Sequence, residues 1–171
     1  MYYVSDIVAA HPKPPKPPVY NMTIVVSACL LGVNCKYNGR NNKNEKLLKW
    51  AEENHCKVIP VCPEVLGGLP TPRVPSEIVN GVVINEKGEN VDAQFRAGAQ
   101  KALEIVIEEM PDIIILQSRS PSCGVKEIYD GTFTKTRIPG SGIFAQLLKE
   151  KQFNVMDVKS LDFTGRSARF F

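Results

Sequence analysis

The sequence predicts an α/β fold: a three-layer αβα sandwich on a mostly parallel sheet. Two observations predict it. Short β-branched runs alternate along the chain with amphipathic helical stretches. The clearest runs, "MTIVVSAC" and "DIIILQS", have continuous apolar centres, IVV and IIIL, instead of alternating with polar residues, which marks strands covered on both faces. No internal repeat competes with this reading.

Residues 1–21 stand outside the pattern. "HPKPPKPPVYN" cannot donate a regular backbone ladder, so it is expected to be extended, polyproline-like and exposed. Met22 immediately precedes the first strand and is read as a natural start. A helix follows over 45–54, with Leu47, Leu48 and Ala51 at helical spacing. "KVIPVC" is the second strand. "GVVIN" and "ENVD" flank Lys87-Gly88 as a short hairpin or turn. Asp92 reads as the N-cap of a long helix, 93–109, carrying Phe95, Ala99, Ala102, Leu103 and Val106. Pro111 stops that helix and "DIIILQS" begins after it. "GSGIFAQLLKEKQ" starts the last helix and "FNVMDV" is the last strand. The expected organisation is one domain over 22–160, with residues 161–171 ("LDFTGRSARFF") as a peripheral tail.

The chain of 171 residues is long enough for one domain with a proper core. Its 43% hydrophobic and 23% charged content is that of an ordinary globular protein. No apolar run is long enough to span a bilayer, and the N-terminus lacks the order of a signal peptide, so a cytoplasmic location is expected. A net charge of +3 permits an anionic ligand without demanding nucleic acid.

Five cysteines, Cys29, Cys35, Cys56, Cys62 and Cys123, make an odd number. In a reducing compartment a disulfide framework is not expected, and clustered cysteines bind metal or do chemistry. Cys29 closes the first strand, Cys62 closes the second, and Cys123 follows the "IIIL" strand. In a parallel sheet all C-terminal strand ends point to one edge, where ligands bind. Three cysteines distant in sequence are thereby brought to one small volume. Three thiolates suit zinc or an iron–sulfur cluster. No close CxxC pair is present, as a structural zinc site commonly has. Cys56 reads as a structural residue at a helix end, and Cys35 is ambiguous.

The flanking residues fit chemistry. In "VIPVCPEVLGGLPTPRVPSEI", prolines and a strand end hold Cys62 and Glu64 in a stiff setting, and Glu64 is the best candidate general base. In "SRSPSCG", Ser120 and Ser122 flank a proline before Gly124, so both hydroxyls could reach a ligand; turn chemistry alone also accounts for these residue types. His11 and His55 have no partner within a motif, which leaves a Cys–His dyad with little support.

Taken together, "VSACLLGVNCKYNG", "PVCPEVLGGLPTPR", "SPSCG" followed by "IYDGTF", and "GSGIFAQLL" resemble the thiouracil desulfidase family, in the same order and from about residue 23 to 157. The resemblance implies a Rossmann-like domain holding a [4Fe-4S] cluster by three cysteines, matched here by Cys29, Cys62 and Cys123, with one iron open to substrate. It implies that sulfur of a thiolated pyrimidine, thiouracil or a thiouridine nucleotide such as 4-thiouridine monophosphate, is replaced by oxygen from water. The family's acid/base carboxylate and hydroxyl fall on Glu64 and Ser120. Arg40, Arg73 and Arg119 are expected near the mouth, and Arg73, Arg119 and Ser122 are assigned to substrate binding, guanidinium groups favouring phosphate. The proline tract has no counterpart in the family.

Two alternatives stand beside this. A cluster-dependent tRNA thiolation enzyme would carry a phosphate loop that "GSG" does not supply, and a broader basic face. A zinc-stabilised binding module would be colourless. The expected partner is a small thiolated nucleobase or nucleotide, with no membrane and no nucleic acid; monomer and homodimer are both open.

Overall fold

The computed structural model describes residues 16–163 and the backbone of 169–170. Most of the proline tract and of the C-terminal tail lies outside the described residues. A four-stranded parallel sheet forms the centre, from β1 (Met22–Ser27), β2 (Cys56–Val61), β5 (Ile113–Leu116) and β8 (Val155–Asp157), in the order β2-β1-β5-β8. Antiparallel hairpins flank it: β3 (Ser76–Val79) with β4 (Val82–Asn85), and β6 (Glu127–Tyr129) with β7 (Arg137–Pro139). β9 (Leu161–Asp162) pairs with β10 (Arg169–Phe170).

The helices are α1 (Glu45–Glu53), α2 (Pro63–Leu66), α3 (Asp92–Glu109) and α4 (Ile143–Glu150). Among the described residues none is long and apolar enough to cross a membrane. The apolar strands serve two cores because successive side chains point to opposite faces. Ile24, Val26, Ile113 and Ile115 pack with Leu47, Trp50 and Ala51 of α1. Val25, Ile114 and Leu116 pack with Phe95, Ala99 and Val106 of α3 and Phe144 and Leu148 of α4. This is the three-layer arrangement that the uninterrupted apolar runs predict.

Several local expectations change. Asp92 does not cap α3; it is the first helical residue, and its carboxylate accepts from Val83 N at 3.0 Å and Arg96 Nε at 2.6 Å. The turn at Lys87-Gly88 exists, with Gly88 N donating to Asn85 O. Its returning arm, however, is reduced to one bridge, Ile84 to Asn90, because β4 takes β3 as its partner. Cys56 is not at a helix end but opens β2, paired in register with Met22. Leu161 is buried in the α1-side core and Phe163 rests on Trp50, ring centroids 5.8 Å apart, so the chain remains packed past residue 160.

α2 is short but firmly placed. A Cβ on Gly98 of α3 would lie 1.7 Å from the Pro63 carbonyl, and one on Gly67 would lie 2.0 Å from the Gln94 carbonyl. Two glycines therefore let the backbones of α2 and α3 touch, a close approach that any side chain would block.

A candidate active site at the C-terminal edge of the sheet

β2 and β5 lie on either side of β1, so the strand order reverses at β1, and the C-terminal ends there open a crevice of the kind that binds ligands in α/β sheets. A cavity of about 410 Å³ occupies it, a volume suited to a small organic molecule. Cys29, Cys62 and Cys123 all line it, as do Glu64, Ser120 and Ser122. Cys29 follows β1 in a 3₁₀ turn (Ala28–Leu31), Cys62 stands at the N-cap of α2, and Cys123 follows β5 in a turn whose Gly124 N–H returns to Ser120 O. That turn is fastened to α4. Ile143 N donates to Pro121 O, and Phe144 N and Ala145 N donate to Ser122 O, satisfying helix donors that no side chain caps.

A fourth thiol, Cys35, also lines the cavity, and it is buried. Its single S–H is shared between the sulfurs of Cys29 and Cys62. That hydrogen bond holds Cys29 below the usual thiol range and Cys62 down to about 7, against the opposing effect of burial. Cys35 itself is pushed far up and keeps its proton, chiefly through the same bonds. Burial pushes Cys123 up. Asn42 Nδ2 adds a weak donor to Cys29 Sγ at 3.6 Å.

Among the described residues no three Cys, His, Asp or Glu side chains come together closely enough to hold one metal ion. A tetrahedral zinc with bonds of about 2.3 Å would draw its thiolates to within about 3.8 Å of one another. Thiolates around a wider group, each meeting a different metal atom, suit an iron–sulfur cluster.

Glu64 is held on both oxygens. Oε2 accepts from Arg73 Nε at 2.7 Å and from Arg73 Nη2; Oε1 accepts from Ser122 Oγ at 2.8 Å and lies 3.4 Å from Ser120 Oγ. Arg73 completes its fork on Cys35 O at 2.8 Å, Pro70 O at 3.2 Å and Thr71 Oγ1 at 3.1 Å. Its five N–H donors thus all have protein acceptors, and none is left over for a substrate phosphate. Ser120 Oγ accepts from Ser122 N at 3.2 Å and Cys123 N at 3.1 Å and lies 3.0 Å from Ser122 Oγ. Both serine hydroxyls have Glu64 Oε1 as an acceptor, and they also contact each other. The three side chains form a file, Ser120 to Ser122 to Glu64, in which Ser122 has the closer contact with the carboxylate.

Arg119 lines the cavity and lies 4.0 Å from Glu127, whereas Arg40 is exposed and does not line it. Sequence reasoning did not find Cys35's position between two thiols, nor Tyr37, Glu77 and Phe133, which also face the cavity. "IYDGTF" carried a signal for the last of these, a turn-forming Asp-Gly between strand residues.

The 2-thiouracil desulfurase family matches residues 24–160. The chain belongs to that family. It is 39% identical over 149 residues to the uncharacterized protein YbbK of Bacillus subtilis (strain 168), covering 81% of this chain and 97% of that protein. It also matches the solved structure of a [4Fe-4S]-dependent thiouracil desulfidase, TudS, with a TM-score of 0.75 and 35% identity, covering 81% of this chain and 92% of the other.

Proposed function

We propose that this chain is a [4Fe-4S]-dependent desulfidase that replaces the sulfur of a thiolated pyrimidine with oxygen from water. Membership of the desulfurase family and the likeness to a cluster-dependent desulfidase support it. The observation that carries it is the convergence of three strand-end cysteines and a hydrogen-bonded Glu64–Ser122–Ser120 file on one cavity.

Cys29, Cys62 and Cys123 would hold the cluster, which when bound supplies a soft Lewis-acidic iron for a soft sulfur atom. Cys35 would share its S–H with two of these ligands, Cys29 and Cys62. Water adds its oxygen to the thiocarbonyl carbon, the C–S bond breaks, and sulfur leaves as hydrogen sulfide, so no oxidant or reductant is consumed. The Glu64 carboxylate takes a proton from the incoming water at Oε1, and the serine file returns a proton towards the substrate. Arg73 keeps Glu64 Oε2 occupied and so aims Oε1 at the cavity. It is a positioning residue here, and Arg119 is left as the guanidinium available to an anionic substituent.

The test is anaerobic purification with iron and sulfide analysis, followed by sulfide release from 2-thiouracil in ¹⁸O-labelled water. A brown protein that forms ¹⁸O-uracil supports the reading. A colourless protein with tightly held zinc refutes it.

A further inference from the structure

The loop 130–136 between β6 and β7 is built in a way that hairpin closure does not require. Asp130 N bonds Thr136 O at 3.0 Å and closes its neck. Thr132 Oγ1 contacts Asp130 Oδ1 at 2.6 Å, and hydroxyl contacts run on from Thr132 to Thr134 at 2.6 Å and from Thr134 to Thr136 at 2.8 Å. Within this loop Phe133 (φ 57°) and Lys135 (φ 64°) both take the left-handed conformation that costs a residue with a long side chain energy. Both line the cavity. Strained non-glycine backbone persists where the surroundings over-determine it, and it gathers at ligand-binding sites.

The over-determining group is Glu77 of β3. It is 8% exposed, and its Oε2 accepts from Gly131 N at 2.9 Å and Phe133 N at 3.1 Å. A buried carboxylate on two backbone donors is a strong, directional anchor. Gly131 (φ 88°) permits the approach, since a Cβ there would lie 2.7 Å from Ile78 O. Three other aromatic side chains line the cavity. Phe95 is buried in the core, the Tyr37 ring carries Lys36 Nζ 5.7 Å from its centroid, and Tyr129 lies within regular strand β6.

We propose that the 130–136 loop is the ring-recognition wall of the cavity, with Phe133 laid against the face of the pyrimidine and Glu77 the positioning residue that holds it there. This rests on the desulfidase reading and adds to it the group that recognises the heterocycle. Base-on-aromatic stacking is tolerant of ring substituents, because every base presents a π-face.

The experiment uses cluster-loaded enzyme in the Glu64→Gln background, where turnover is slow, and measures the Kd for 2-thiouracil by calorimetry, with iron content and Tm alongside. Phe133→Ala is expected to weaken binding about tenfold with iron content and Tm unchanged. Phe133→Tyr restores affinity and Phe133→Leu does not. Glu77→Ala weakens binding to a similar extent, and the Glu77→Ala, Phe133→Ala double variant is no weaker than Phe133→Ala alone, because Glu77 acts through Phe133. With Glu64 restored, the loss in Phe133→Ala appears in KM more than in kcat. Wild-type affinity in Phe133→Ala, equal affinity in the Leu and Tyr variants, or additive losses in the double variant overturns the inference while sulfide release by the parent enzyme leaves the desulfidase reading standing. If Glu77→Ala does not fold, the Phe133 series decides. A parent enzyme that carries the cluster but neither binds nor desulfurises 2-thiouracil overturns both.

Discussion

The two edges of the central sheet are made from the same four strands and do opposite things with their polar groups. At the N-terminal edge the contacts end in one another. Thr23 N meets Asp112 Oδ2 at 2.7 Å, Asp112 N meets Thr23 O at 2.8 Å, Asn154 Nδ2 meets Asp112 O at 3.2 Å, and Lys57 meets Glu109 at 2.5 Å. The cysteine there, Cys56, is pushed up by burial and then by Asp112, so it stays a protonated thiol. At the C-terminal edge the chain leaves each strand in a turn, and the turns stand apart around a cavity. There a neighbouring thiol holds Cys29 and Cys62 low, and a carboxylate is aimed by an arginine behind it. Burial pushes the thiol up at either edge, in Cys56 and in Cys123; what the C-terminal edge adds is a cavity that Cys29, Cys62 and Cys123 all line.

The sharpest way to break that comparison is to remove one cysteine at a time and measure iron and acid-labile sulfide after anaerobic purification. Cys29→Ala, Cys62→Ala and Cys123→Ala are each expected to abolish cluster retention, and Cys56→Ala to leave it intact. Iron loss in Cys56→Ala equal to that in Cys62→Ala would remove the distinction between the edges. Next in size is Glu64→Gln, which keeps shape and loses the proton acceptor. Turnover should fall at least about 100-fold, with iron content and visible spectrum unchanged. Ser122→Ala should cost more than Ser120→Ala, because Ser122 makes the shorter contact with Glu64; the reverse order would mean the file does not run through Ser122.

Gly98→Ala tests how the C-terminal edge is supported. Its methyl group would be driven into the Pro63 carbonyl, so α2 must shift, at a cost of about 1–3 kcal/mol in denaturant unfolding and with weakened cluster retention. Gly81→Ala does not sharpen the comparison in the same way, since nothing lies near its Cβ and only its left-handed φ of 79° opposes the change. Truncating Lys57 to Met at the N-terminal edge should cost no more than about 1 kcal/mol and leave activity alone, since that ion pair is partly exposed.

The smallest effect concerns pH. Burial draws the Asp92 carboxyl up, but Arg96 and the Val83 N–H outweigh it, and the net position is below the ordinary carboxylate range. A depressed folded-state value contributes stability that is present above the unfolded value of about 3.9 and is lost as pH falls through the folded one. Asp92→Asn should therefore lower Tm slightly at neutral pH, with the difference from wild type closing below about pH 4. A difference that grew on acidification would reverse the sign of this argument.

Much of the architecture was legible from the residues. Continuous β-branched runs mark two-sided burial, and the parallel sheet they imply places Cys29, Cys62 and Cys123 at one edge whatever the loop details. The hairpins were less so. The "SEIV" run of β3 is short and carries Glu77 inward, which masks its period, and β6 and β7 are three residues each. What only the tertiary structure decided are the pairings across the cavity: Ser122 and not Ser120 nearer to Glu64, Arg73 spent wholly on protein acceptors, Cys35 between two thiols, and Glu77 clamping a loop 54 and 56 residues away. Local pattern reports which face of an element a residue occupies, because side-chain direction repeats with the backbone period. It carries no record of which distant loop arrives opposite that face. That depends on crossover direction, strand register and the close contact of α2 with α3, and these are set by the packing of the whole domain.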